Sequence, residues 1–260
     1  MNTTTFAEIK SAIYNTDYWL YLAISDIRRK YARTSVGYFW SIFNPILFIT
    51  IVGACYSMIF NTPVSVLVPH LSISYFTWQF VTSCINESAP LIHSHGIILK
   101  TSRITAPMLM LRTIARNLII FLQNVILSVV IIAYFQGLPV YVELSIVGIF
   151  LILLAITPLC FIIALFTSRY HDIEQIIQSV LLIVFFVTPI LWLPSMLKPE
   201  QMWLVNWNPV FYFLELVRGP MLGTWPPLIS YIVAVGMSAS LTLAAFVLYS
   251  RVRPRLAHWI

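Results

Sequence analysis

Arg28-Arg29-Lys30-Tyr31-Ala32-Arg33-Thr34-Ser35-Val36-Gly37-Tyr38-Phe39-Trp40-Ser41-Ile42-Phe43-Asn44-Pro45 is the stretch that decides how this chain is read. Four positive charges fall within its first six residues, three consecutive aromatics follow, and the sequence then turns apolar. From Thr34 to Asn86 there is no Asp, Glu, Lys or Arg. Basic residues stay on the cytoplasmic side of a bilayer, near its anionic head groups. Tyr38 and Trp40 suit the interface, where a ring is buried while its polar atom stays wet. The charges alone describe any positively flanked span. The order of the whole string describes a chain approaching a membrane from the cytoplasm.

Upstream, residues 5–22 read as an amphipathic helix lying on the membrane surface. Thr5 and Glu8 are spaced as a capping box, and Phe6, Ile9 and Ile13 recur at helical spacing. Downstream, a first span is predicted near 38–60, an outer loop at 64–70 after Asn61-Thr62-Pro63, and a second span near 71–91. Glu87, toward the inner end of that span, needs a polar neighbour or the interface. Further spans are predicted near 108–134, 143–166, 175–193 and 228–249. Arg112 and Arg116, four apart, share one face at the inner end of the third. Residues 194–226 are too apolar for a free loop and too broken by Pro for one span. They read as short re-entrant or interfacial helices, which a membrane tolerates where they are buried in protein or line a wet cavity.

With six spans and both termini inside, thirteen basic residues lie in the cytoplasm and two, Lys198 and Arg218, lie outside. The composition agrees: 60% hydrophobic and 9% charged, where a soluble domain carries about 25% charged residues. A net charge of +6 does not make a nucleic-acid surface here, because the basic residues cap apolar runs and form no stripe. Cys55, Cys84 and Cys160 sit in apolar runs without metal or disulfide spacing, and His93 with His95 lacks a third ligand. Residues 1–20 lack the basic start and compact apolar core of a signal peptide. No two of the eight glycines are two or five residues apart, which excludes the dinucleotide fingerprint and the phosphate loop. The centres of the predicted spans carry no ionisable group, which argues against proton coupling and against an intramembrane hydrolase. Energy for any transport must come from another chain.

Several strings match a known family. Asp26-Ile27-Arg28-Arg29-Lys30-Tyr31, Ser35-Val36-Gly37-Tyr38-Phe39-Trp40 and Asn44-Pro45 form one block. Ser168-Arg169-Tyr170-His171-Asp172, Thr188-Pro189-Ile190, and Asn208-Pro209 with Arg218 follow it. Together they resemble the permease subunit of type-2 ABC exporters for polysaccharides: O-antigen, capsule and teichoic acid. Ser25, where an Arg often stands, and Lys30 before the Tyr are small departures. The resemblance implies an all-α integral membrane protein with one ABC-2 domain over 1–260: six spans, an N-terminal interface helix and re-entrant periplasmic helices. It implies a homodimer in the bacterial inner membrane, served by two copies of an ABC ATPase. ATP and magnesium would bind those partners and no cofactor this chain, which would be a transport subunit and not an enzyme. The cargo would be a lipid-linked polysaccharide, with O-antigen favoured.

In that picture residues 96–107, with Gly96, Lys100, Arg103 and Pro107, form the helix that couples to the ATPase. Trp203, Trp207, Asn208, Pro209 and Arg218 belong to the periplasmic gate. The basic run Arg28, Arg29, Lys30 and Arg33 would meet an anionic lipid head group. Sugar rings stack on aromatic faces, so Tyr38, Trp40, Tyr56, Tyr75 and Trp78 are candidate channel residues. A drug or small-lipid permease remains open as an alternative within the same class. A membrane-embedded glycolipid enzyme remains open outside it.

Overall fold

The computed structural model describes residues 5–31, 40–102, 104–139, 141–170 and 172–259. Arg33, Tyr38 and Arg103 lie outside the described residues. The regular structure among those described is helical: α1 (Thr5–Tyr14), α2 (Thr16–Tyr31), α3 (Trp40–Phe60), α4 (Val64–Ser88), α5 (Leu91–Ser94) and α6 (Gly96–Thr101). There follow α7 (Ala106–Gln136), α8 (Val142–Thr167), α9 (Ile173–Val187), α10 (Trp203–Asn206), α11 (Pro209–Met221) and α12 (Leu228–Trp259). Among the described residues, four helices are long and apolar enough to cross a membrane: α7, α8, Ile42–Phe60 of α3 and Leu228–Pro254 of α12. α4 has the length, at 25 residues, but carries many polar side chains; α9 is apolar but only 15 residues long.

α4 is the centre of the bundle. It packs on α7, α3, α8, α11 and α9, while α8 also holds α11 and α12. That encasement explains its polarity, since a helix shielded from lipid need not be apolar. Several of its hydroxyls bond back to the helix itself: Ser72 Oγ to the Pro69 carbonyl at 2.8 Å and Thr77 Oγ1 to the Ile73 carbonyl at 2.8 Å. The core between α4 and its neighbours is built from Leu71, Phe76, Phe80, Leu109, Phe121 and Ile156.

Several element boundaries differ from the sequence expectations, each for a local reason. The surface helix expected at 5–22 is two helices. At the break Asn15 Nδ2 donates to the Ser11 carbonyl at 2.7 Å, and Thr16 Oγ1 donates to the Ile13 carbonyl at 2.8 Å. α2 then continues to Tyr31, so Arg28, Arg29 and Lys30 ride its last turn, where the helix dipole favours cations. The Glu8 carboxylate, expected at its own helix N-terminus, reaches across to α12. It accepts from Tyr249 Oη at 2.7 Å and Arg253 Nη2 at 2.8 Å.

The outer loop expected at 64–70 is helical. Pro69 lacks the N–H that would bond the Ser65 carbonyl, and Gln136 Nε2 of α7 takes that carbonyl at 3.0 Å. The span expected to reach 193 stops at Val187, because Thr188 precedes Pro189 and is driven into the extended region (φ −83°, ψ 137°). The last helix runs past 249 and carries the basic tail on its final turns. Residues 194–226 do form short helices, with α11 the longest at 13 residues.

Candidate functional site

Polar chemistry gathers at two levels of the bundle. The first joins α2, α4 and α7 near the ends that carry the basic run. Asp26 is its hub. Arg112 grips it with two parallel bonds, Nε to Oδ2 and Nη2 to Oδ1, both 2.7 Å. Arg116 Nη1 reaches Asp26 at 3.3 Å and its Nη2 donates to Glu87 Oε2 at 2.6 Å. Asn117 Nδ2 donates to the same Glu87 oxygen at 2.6 Å. Burial pushes the Asp26 carboxyl up, but the Arg112 bonds, the Arg112 and Arg116 charges and the Arg29 bond outweigh it and hold the carboxyl below its usual value. The network ties the surface helix α2 to α7 and α4. The pairing of Arg112 and Arg116 on one face was legible. Asp26 as their common partner was not, because its distance along the chain hides it.

Directly above this network lies a cleft between α3, α4 and α7, of about 320 Å³. Lys30 and Trp40 stand on its wall with Asn44, Gln79, Glu87 and Asn124. Phe80 and Phe121, stacked with centroids 4.8 Å apart, also line it.

The second level joins the opposite ends of α4, α9 and α11. Arg218 is buried there. It donates to the Pro189 carbonyl at 2.7 Å, Glu215 Oε2 at 2.5 Å and Ser74 Oγ at 3.3 Å, and its Nη1 lies 3.4 Å from His70 Nε2. Asn208 caps α11, accepting from the Val210 N–H at 3.0 Å, and donates to Thr188 Oγ1 at 2.8 Å. The Thr188-Pro189 break thus supplies the carbonyl and hydroxyl that anchor the segment following it. His70, expected in an outer loop, is instead a buried member of this clamp.

Of the remaining candidates, Arg28, Arg29 and Lys30 are exposed on α2, and Arg29 pairs with Asp26 at 2.7 Å. Gly96 opens α6 and is buried, Lys100 is exposed near its end, and Pro107 is buried in the first turn of α7. His93 Nε2 approaches Glu174 Oε1 at 3.7 Å, joining α5 to the start of α9. Tyr75 stacks on Phe48 at 4.2 Å, and buried Trp78 sits 6.0 Å from Phe185, so both pack between helices of one chain. Tyr56 is half-buried against Phe60. Trp203 and Trp207 are exposed, and Pro209 begins α11. No group of three or more metal-ligating side chains occurs among the described residues.

A multi-pass bundle with a charged network at one level and a clamped short-helix segment at the other has the build of a membrane permease. The chain belongs to the ABC-2 type transporter family, whose model matches residues 19–222. It is therefore a transport subunit and a multi-pass membrane protein. It is similar to two proteins of Klebsiella pneumoniae, each called O-antigen export system permease protein RfbA. They are 25% and 26% identical over 210 residues, covering 76% of this chain and 78% of theirs. A protein of the same name from Myxococcus xanthus is 22% identical over 177 residues, 68% of each chain.

Proposed function

We propose that this chain is the permease half of an exporter that moves a lipid-linked polysaccharide, of the O-antigen type, across the bacterial inner membrane. The observation that carries the reading is the similarity to O-antigen export permeases over about three quarters of both chains. α4 and α9 join the four apolar helices to make six spans, and the short helices of 194–226 dip back into the outer membrane face. Both termini are cytoplasmic, as the thirteen-to-two distribution of basic residues supports. Two copies form the conduit between them. The chain's glycine spacing leaves no phosphate loop, so a separate ATPase binds ATP and magnesium. It docks on α5 and α6, where Ile97 and Lys100 face outward. Arg28, Arg29 and Lys30 receive the anionic carrier head group, the Asp26 network passes α2 movement to α7, and the Asn208–Arg218 clamp positions the outlet beside Trp203 and Trp207.

The test is deletion of the gene, followed by chemical analysis of surface glycan and of glycan held on its carrier inside the cell. The expected result is loss of surface glycan with carrier-linked glycan trapped inside. Unchanged surface glycan refutes the reading, and altered drug tolerance in its place identifies a small-molecule exporter.

A further inference from the structure

The cleft above the Asp26 network has a lining that neither lipid contact nor helix packing explains. Asn44, Gln79, Ser83, Asn117 and Asn124 converge on one space from three helices. Counting 1.5 Å per residue on α7, the cleft climbs about 10 Å from the Asn117 level to Asn124. Asn124 is 3% exposed, and its Oδ1 has no hydrogen-bond partner among the described residues. Gln79 Oε1 on the facing helix is buried and unpartnered in the same sense. Buried amide oxygens are nearly always satisfied, because leaving one unpaired is unfavourable. Both residues line one cavity, and a ligand that brings hydroxyl or N–H donors would satisfy their buried oxygens.

The rest of the lining narrows the chemistry. Among the described residues one cation, Lys30, stands at the cleft, and the carboxylate there, Glu87, is already held by Arg116 and Asn117. That is too little positive charge for a pyrophosphate and the wrong chemistry for an acyl chain. Trp40 is the exposed ring beside the cleft, while Phe76, Phe80 and Phe121 form its buried apolar floor, the last two stacked on each other. Neutral amides and a hydroxyl beside aromatic faces suit a ring that is hydroxyl-bearing on its edge and C–H-bearing on its face. The volume of about 320 Å³ lies at the small end of ligand sites, which run from about 300 to 1,000 Å³.

We propose that this cleft is a glycosyl subsite, holding one neutral sugar ring from the carrier-linked end of the exported glycan while the charged head group stays at Arg28–Lys30. The assignment to that glycan rests on the export reading above; the sugar-binding chemistry does not.

The test uses the full chain with its ATPase subunit in nanodiscs of phosphatidylethanolamine and phosphatidylglycerol. Methyl glucoside, galactoside, mannoside and N-acetylglucosaminide are the probes, read by saturation-transfer NMR with inorganic pyrophosphate as competitor. At least one glycoside is expected to show transfer that pyrophosphate does not displace. Asn124→Leu and Gln79→Met should each weaken it roughly fivefold, the effect of one neutral hydrogen bond. No transfer to any glycoside, transfer displaced by pyrophosphate, or transfer that survives both substitutions overturns the subsite. In cells the same substitutions should cut surface glycan at unchanged protein level. Unchanged export alongside lost glycoside binding overturns the assignment to the exported glycan and points to a bilayer glycolipid. Where Asn124→Leu fails to accumulate in the membrane, Ser83→Ala takes its place. Deletion that leaves surface glycan intact refutes the export reading alone, because glycoside binding is measured without reference to export.

Discussion

Replacing Asp26 with Ala removes the carboxylate on which three guanidinium groups converge. Asp26 and Arg112 are 10% and 17% exposed and share two bonds of 2.7 Å. Without Asp26, Arg112 has no other anion among the described residues, whereas Arg116 keeps Glu87 at 2.6 Å. Breaking a buried ion pair costs about 3–5 kcal/mol and an exposed one under about 1 kcal/mol; this part-buried, bidentate pair falls between, at about 2–3 kcal/mol. Arg29 is an internal control. It touches the same carboxylate at 2.7 Å but is 69% exposed, so solvent screening and side-chain entropy reduce its coupling to about 0.5 kcal/mol or less. The assay is a pair of double-mutant cycles, Asp26→Ala with Arg112→Ala and with Arg29→Ala. Each is read by SDS-driven unfolding of purified protein in mixed micelles, followed by tryptophan fluorescence. Equal couplings for the two arginines, or an Asp26–Arg112 coupling below about 1 kcal/mol, would refute the claim that burial makes this bridge a structural tie between α2 and α7.

Three further outcomes follow from the same structure. The folded Asp26 carboxyl titrates below its ordinary value of 3.8, so its stabilisation is fully present above that pH and lost as pH falls through the lower folded value. Melting of the native chain should therefore steepen below pH 3.8, and Asp26→Asn should remove that part of the slope. A Cβ at Gly148 would stand 2.6 Å from the Leu216 carbonyl carbon, so Gly148→Ala should push α11 off α8 at about 2–3 kcal/mol. Gly236→Ala, with nothing within 4 Å, should be neutral or stabilising by up to about 1 kcal/mol in the same titration. Arg218→Met should destabilise by about 3 kcal/mol because Glu215 and the Pro189 carbonyl lose their donor. Arg218→Lys, with one point of charge for several acceptors, should fall between; an Arg218→Met protein as stable as the native one refutes the clamp.

What the sequence disclosed follows from where the information lies along the chain. Apolar runs bounded by Gly137 and Pro139 or by Arg169 and Asp172 locate α7 and α8 within a few residues, since lipid imposes its signature on every exposed position. Arg112 and Arg116 announce a shared face through their spacing. Asp26 sits within the recognised opening string, yet its role depends on residues 86 and 90 positions away, and no local pattern carries that. Tyr75 and Trp78 are a similar case: their residue type made them candidate conduit residues, and only tertiary placement shows that they meet Phe48 and Phe185 within the chain.

α4 shows how structural and functional polarity can be told apart inside a membrane bundle. A hydroxyl on a buried helix normally bonds the carbonyl a turn earlier, as Ser72, Thr77 and Thr82 do, and is then silent toward its surroundings. An amide has both a donor and an acceptor to match and is costly to seal away. On the face that meets α7, Phe80 and Phe121 stack while Gln79 and Asn124 keep unmatched oxygens in the same cleft. Were packing the sole demand at that level, apolar residues would meet it better than two unsatisfied amides. Their presence beside a cavity, about two turns from a saturated ion network, distinguishes a level whose polar groups are spent on holding α2, α4 and α7 together from a level whose polar groups are still unmatched.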